Sequence, residues 1–245
     1  MNQEKLHRFH CENVRAVDSG LECVARSLRD AVASNDLTAI ATYLRLYFLL
    51  VATCGECRLA KLLYEPAFSD GDRKRFREVP AHLDRWKLLV EDAFRKHYNV
   101  PYAVLSKTTL PHSAYYRYVA LGDLLSSELS GIITLRNKLA HGQWVYPFAE
   151  DGEKIAQAQM DALRTENALS IQLKHNLIVC LLEVIHFLRV SKKTFERDFD
   201  DAFRRIEQLR QQLTSKSYDH YAEILRARLA RGKKARRKAE SEQPG

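Results

Sequence analysis

Apolar residues recur at intervals of three and four along most of the chain, and this spacing predicts helix after helix. From Glu4 to Val32, the residues Phe9, Val14, Val17, Leu21, Val24 and Leu28 fall on one face, reading as one helix or two with Gly20 weakening the middle. Ser34-Asn35-Asp36 is a capping cluster, and the helix it opens runs to about Tyr64, where Glu65-Pro66 ends it. That second helix is apolar on most faces, which predicts a central position. Phe68–Val79 reads as a polar connection with a turn at Ser69-Asp70-Gly71-Asp72. Pro80 opens a helix to about Tyr98, and Asn99–His112 is a loop. A long helix is predicted from Ala114 to about His141, stopped by Gly142. After the loop Gln143–Gly152 come a short helix at Ile155–Leu163 and a strongly apolar one at Glu166–Val190. A more polar helical pair follows at Thr194–Leu213 and Ser217–Ala230. No strand-like alternation and no repeat period is present, so the expected class is all-α, an antiparallel helical bundle with extra N- and C-terminal helices. The expected segments are 1–35, a bundle at 36–190, a helical pair at 191–231, and a basic tail at 232–245, solvated and disordered.

Composition agrees: only 9 Gly and 6 Pro in 245 residues argue against a turn-rich all-β fold. The formal net charge of +8 is localised, because eight basic residues and no acidic one lie between Arg226 and Lys238. Taking those eight from the 39 basic residues leaves the rest balanced at 31 of each sign. Such a stretch adds affinity for a polyanion without sequence preference, or is simply a solvated tail. Five cysteines do not form an even disulfide framework. Charges at Glu4, Lys5, Arg8, Glu12 and Arg15 interrupt any N-terminal leader, and the apolar stretches Ile40–Cys54 and Leu177–Leu188 fall short of the ~20 residues needed to span a bilayer. The expectation is a reduced, cytoplasmic protein with no membrane partner.

The chemistry concentrates in Leu135-Arg136-Asn137-Lys138-Leu139-Ala140-His141-Gly142. The R-x4-H spacing by itself is weak, and a second instance, Arg77 to His82, contains Pro80 and cannot lie on one helix. The context of the first instance is more specific: it ends a long helix, places Asn after Arg, and stops at Gly142. Asn137 and His141 are i and i+4 and share a face, while Arg136 lies about 140° round from His141 and reaches the same region on a long side chain. An imidazole can exchange a proton near neutrality, a guanidinium fork suits a phosphate, and Asn can orient either. The plain alternative is that Arg136 and His141 cap a helix and pair with carboxylates.

This segment resembles the signature of the HEPN family, helical bundles marked by Arg, a following polar residue and His near a helix end. The match is strict over about eight residues and loose, by helix count, over 36–190. The resemblance implies Arg136, Asn137 and His141 as the catalytic residues of an endoribonuclease that needs no metal and no cofactor. The ribose 2′-hydroxyl attacks the adjacent phosphate, leaving a 2′,3′-cyclic phosphate and a 5′-hydroxyl. It also implies a homodimer in which two motif helices build one composite site, RNA as substrate, and a toxin or antiviral-defence setting with a cognate inhibitor or partner. A non-catalytic module that dimerises and binds RNA or protein is the alternative. One departure stands out: where a subgroup has Tyr two residues after His, this chain has Gln143.

Other groups carry less. Arg73, Lys74, Arg75 and Arg77 form a basic patch that either tracks an RNA backbone or is a solvated loop, and Tyr115, Tyr116 and Tyr118 either stack on bases or pack. In the C-terminal stretch, Lys233, Lys234, Arg236, Arg237 and Lys238 are candidate RNA contacts. Cys54-Gly55-Glu56-Cys57 is a lone C-x-x-C, better read as buried cysteines than as half of a zinc site. His175 and His186 share one face of their helix and read as satisfied core histidines. No phosphate-binding loop, dinucleotide fingerprint, H-E-x-x-H or G-x-S-x-G occurs.

Overall fold

A computed structural model describes residues 2–190 and 195–241. The architecture is all-α. α1 (Gln3–Ser34) and α2 (Leu37–Leu62) form a long antiparallel hairpin. Its turn follows from two residues: Asn35 takes the left-handed conformation at φ 59° and closes α1 onto the carbonyls of Ala31 and Val32, and the Asp36 side chain accepts from the Ala39 amide to open α2. Then come α3 (Asp70–Glu78), α4 (His82–Tyr98), α5 (His112–Leu124), α6 (Ser130–Ala140), α7 (Gln157–Thr165), α8 (Ala168–Arg189), α9 (Phe195–Ser215) and α10 (Tyr218–Ser241). α8 opens with a capping box between Asn167 and Ser170, is buried along most of its length, and packs against α2, α4 and α9.

Three elements depart from the pattern reading. The stretch read as a polar connection contains α3, because Ser69 and Asp72 satisfy each other's backbone amides in a capping box and Phe76 turns inward against Phe68. What looked like a turn there is the first turn of a helix. The long helix at 114–141 is interrupted between α5 and α6 by one π-helical turn, Leu125–Leu129. The wider turn leaves Leu124, Leu125 and Leu129 all buried, each at most 2% exposed. Finally, α10 continues as helix through Ser241, so the basic stretch expected as a disordered tail lies on helical backbone up to that residue. Residues 242–245 lie outside the described part.

One buried cluster runs from Leu21 on α1 to Leu225 on α10, so the N-terminal helix and the C-terminal pair share the core of 36–190. By length and composition alone, α2, the stretch His112–Ala140 and α8 are each long and apolar enough to cross a bilayer. The helices extend well past the apolar cores counted in the sequence, which is why those stretches looked too short. In the fold these helices contribute much of the buried cluster. Beside it, α3, α4 and α8 are tied by a charged network in which Arg189 meets Asp72 at 3.0 Å and Asp92 at 3.2 Å, and Arg75 also pairs with Asp92. The Arg189–Asp92 contact is a close ion pair without hydrogen-bond alignment.

Candidate functional site

The end of α6 is built by its backbone. His141 is the C-cap, at φ −92° and ψ 19°, with its amide still donating to the Asn137 carbonyl at 3.1 Å. Gly142 then takes φ +76°, its amide bonds Leu139 and the Gln143 amide bonds Lys138, which together make a Schellman stop. The following loop is pinned back on the helix. The Trp144 indole donates to the Leu139 carbonyl at 2.9 Å, the Lys138 ammonium reaches the Phe148 carbonyl, and Arg45 of α2 donates to the Trp144 carbonyl at 2.6 Å. His141 is exposed and makes no side-chain hydrogen bond among the described residues. Around it the loop leaves Val145, Tyr146, Phe148 and Ile155 exposed.

Arg136 is partly buried and held from two sides. One terminal nitrogen, Nη1, donates to the Asn137 side-chain oxygen at 3.0 Å, and the other, Nη2, donates to Glu56 of α2 at 2.6 Å. Its Nε is buried with no hydrogen-bond partner. Asn137 in turn shares a helix face with His141, one turn later. The second oxygen of Glu56 lies 3.7 Å from Nδ1 of His82, at the start of α4. Glu56 and His82 also line a cavity of about 240 Å³ together with His10, Arg77, Arg85 and Trp86. The structure thus unites Arg136 and Asn137 and adds Glu56 and His82, which the sequence reading missed. Their signal was faint: Glu56 is a lone acid in an apolar helix, hidden inside a C-x-x-C that drew attention to its cysteines. Arg77 and His82 sit on separate helices, as Pro80 required, yet line one cavity.

The remaining candidates lie elsewhere. Arg73 is 6% exposed, donates to the Leu63 and Phe68 carbonyls, and meets Asp70 at 2.5 Å. Arg75 is committed to buried Asp92. Of the expected basic patch, α3 draws only Arg73 into its packing interface, whereas Lys74, paired loosely with Glu78, Arg75 and Arg77 stay exposed. Tyr115 and Tyr116 lie near the start of α5, with Lys107 over both rings and His112 against Tyr116. At 1.5 Å per residue they are about 37 Å along the helix from His141, so they do not join its site in one chain. Lys234 is exposed on α10, whereas the side chains of Lys233, Arg236, Arg237 and Lys238 lie outside the described part.

Cys54 is 1% exposed and belongs to a polar cluster on a different face of α2. Burial pushes its thiol up to about 11 despite the Arg58 guanidinium beside it, so it stays neutral. Among the described residues no group of three His, Cys, Asp or Glu stands close enough to hold a metal ion. Compared with known proteins, the chain matches no family model, no curated protein and no solved structure.

Proposed function

We propose that this chain is a HEPN-type endoribonuclease that cleaves RNA by 2′-hydroxyl attack without a metal ion or cofactor. The observation that carries the reading is the Arg136–Asn137 hydrogen bond, which ties the guanidinium to the residue one turn before the exposed His141. In this reading two copies pair about the ends of their α6 helices, where the exposed Val145, Tyr146 and Phe148 supply apolar surface. One His141 removes the 2′-proton, the other protonates the departing 5′-oxygen, and the Arg136 side chains stabilise the charge gathering on phosphorus. Glu56 is a positioning residue: it fixes the guanidinium and partly neutralises it until a phosphate competes. The setting we propose is cytoplasmic, as a toxin or antiviral-defence effector with a cognate inhibitor or partner.

A second reading, a non-catalytic module that dimerises and binds RNA or protein, is favoured by the same Arg136–Glu56 pair, which holds the arginine on a carboxylate rather than free. The two separate on incubating RNA with wild type, Arg136→Ala and His141→Ala in the presence of EDTA, with sedimentation run alongside. Cleavage by the wild-type dimer alone supports the nuclease. RNA retained equally by all three with no cleavage supports the module and overturns the enzyme.

A further inference from the structure

The carboxylate that holds Arg136 is shared. Glu56 gives one oxygen to Nη2 of Arg136 at 2.6 Å, and its other oxygen lies 3.7 Å from Nδ1 of His82. The second distance is too long for a hydrogen bond, yet within reach of an ion pair once the imidazole is charged. His82 is the first residue of α4, behind an N-cap, Ala81, whose side chain bonds none of the first amides. The His82 side chain is 35% exposed and that of Glu56 is 23% exposed, so protons from solvent reach both.

The surroundings add fixed positive charge. In the cavity beside this pair, Arg77 comes from α3, Arg85 from α4 and His10 from α1, and Glu56 is the one carboxylate in the lining among the described residues. The Nε groups of Arg77 and Arg85 donate to the Arg73 carbonyl at 3.4 Å and the Val79 carbonyl at 2.6 Å. Arg136 faces Glu56 from α6. Burial holds the His10 imidazole below its ordinary value, with the His7 charge adding to the effect, so His10 stays mostly neutral near pH 7. Imidazole is the side chain of this group that gains charge between pH 8 and pH 5.

Formal charge decides the consequence. With His82 neutral, Arg136 and Glu56 cancel, and a phosphate arriving at Arg136 competes with a full carboxylate charge. With His82 protonated, the three side chains sum to one positive charge, Glu56 divides between two cations, and its hold on the guanidinium weakens. We propose that His82 is a positioning residue that acts through Glu56: its protonation draws the carboxylate from Arg136 and opens the guanidinium to a phosphodiester, so affinity for RNA rises as pH falls through the histidine range. The inference rests on the proposed role of Arg136 in holding the scissile phosphate, and adds a control on that role.

The test measures binding of a 2′-O-methyl RNA, which lacks the attacking hydroxyl, to the full chain at pH 8 and pH 6 and constant ionic strength. Every protein carries His141→Ala, so the imidazole at the α6 terminus adds nothing to the profile. This parent is expected to bind about fivefold more tightly at pH 6, the scale of one partly exposed ion pair. His82→Gln is expected to lose most of that gain while keeping the urea midpoint of the parent at pH 8. His82→Lys, charged at both pH values, is expected to bind at pH 8 as tightly as the parent does at pH 6. In a Glu56→Gln background, His82→Gln should change nothing, because His82 acts only through the carboxylate. The inference is overturned by an undiminished gain at pH 6 in His82→Gln, by His82→Lys binding no more tightly than the parent at pH 8, or by a His82 effect that survives Glu56→Gln. Arg136→Ala separates the two levels. If it binds as tightly as the parent, the role of Arg136 fails and the inference with it, whereas an affinity that needs Arg136 but ignores His82 overturns the inference alone.

Discussion

Arg136 shows how much one side chain's partners decide. Its charge is answered by Glu56 at 2.6 Å and steered by Asn137 at 3.0 Å, so any phosphate must compete with a carboxylate. Glu56→Gln keeps a hydrogen-bond acceptor but removes the competing charge. If Glu56 positions and neutralises Arg136, this variant lowers KM for RNA severalfold while kcat moves less than tenfold, as steady-state cleavage kinetics would show. An unchanged KM would mean that Glu56 has no bearing on phosphate binding. Arg136, Asn137 and His141 could be read from eight contiguous residues, because helix periodicity relates them directly. Glu56 and His82 could not, because they arrive from α2 and α4, and only tertiary packing sets Glu56 against Arg136 and His82 against Glu56. Arg73 illustrates the reverse error: basic residues in a polar stretch suggest a surface, yet its guanidinium satisfies carbonyls at the α2–α3 junction and lies 6% exposed.

Elements were legible where local chemistry decides them. Asn35-Asp36 and Gly142 mark their helix ends by capping rules that need no tertiary information. α3 was missed because its polar composition hides the Ser69–Asp72 capping box, and the π turn was missed because it answers the core's demand for Leu124, Leu125 and Leu129 rather than any local signal. The stop at Gly142 positions His141, and its cost can be measured. A Cβ there would meet nothing within 4 Å, so a substitution is penalised only through φ +76°. Gly142→Ala should destabilise the fold by about 1–2 kcal/mol and Gly142→Asn by less, read from urea unfolding midpoints. Equal stability of all three would show that the left-handed stop is not maintained.

At the scale of the molecule, buried ionisable groups set the response to acid. Burial holds the imidazoles of His10, His175 and His186 below their ordinary value, with the His7 charge adding at His10 and the Arg58 charge at His175. The unfolded chain therefore takes up protons near pH 6.5 that the folded chain refuses, so their contribution is complete above that pH and is lost as pH falls through the folded values. Asp72 and Glu65 act in the same direction at lower pH. Burial raises both, but Ser69, Lys96 and Arg189 outweigh it at Asp72, and Lys61 and His7 at Glu65, leaving each carboxyl lowered. The urea midpoint should fall between pH 7.5 and 5.5 and fall further toward pH 4, and a flat profile would contradict this. α10 extends the other long-range property: Arg226, Arg228, Arg231 and Lys234 are exposed along it. Truncation after Ala230 should weaken RNA binding and flatten its salt dependence while leaving kcat unchanged, and unchanged binding would remove residues 231–245 from any role in RNA contact.

The nuclease proposal turns on whether the α6 terminus performs proton transfer at a phosphodiester. End-group analysis of RNA incubated in EDTA with wild type and with His141→Ala tests it most directly. Fragments with 2′,3′-cyclic phosphate and 5′-hydroxyl ends from the wild type, at a rate reduced about 10²–10⁴-fold in the variant, are the expected result. Intact RNA with the wild type, or equal cleavage by both proteins, would contradict the account.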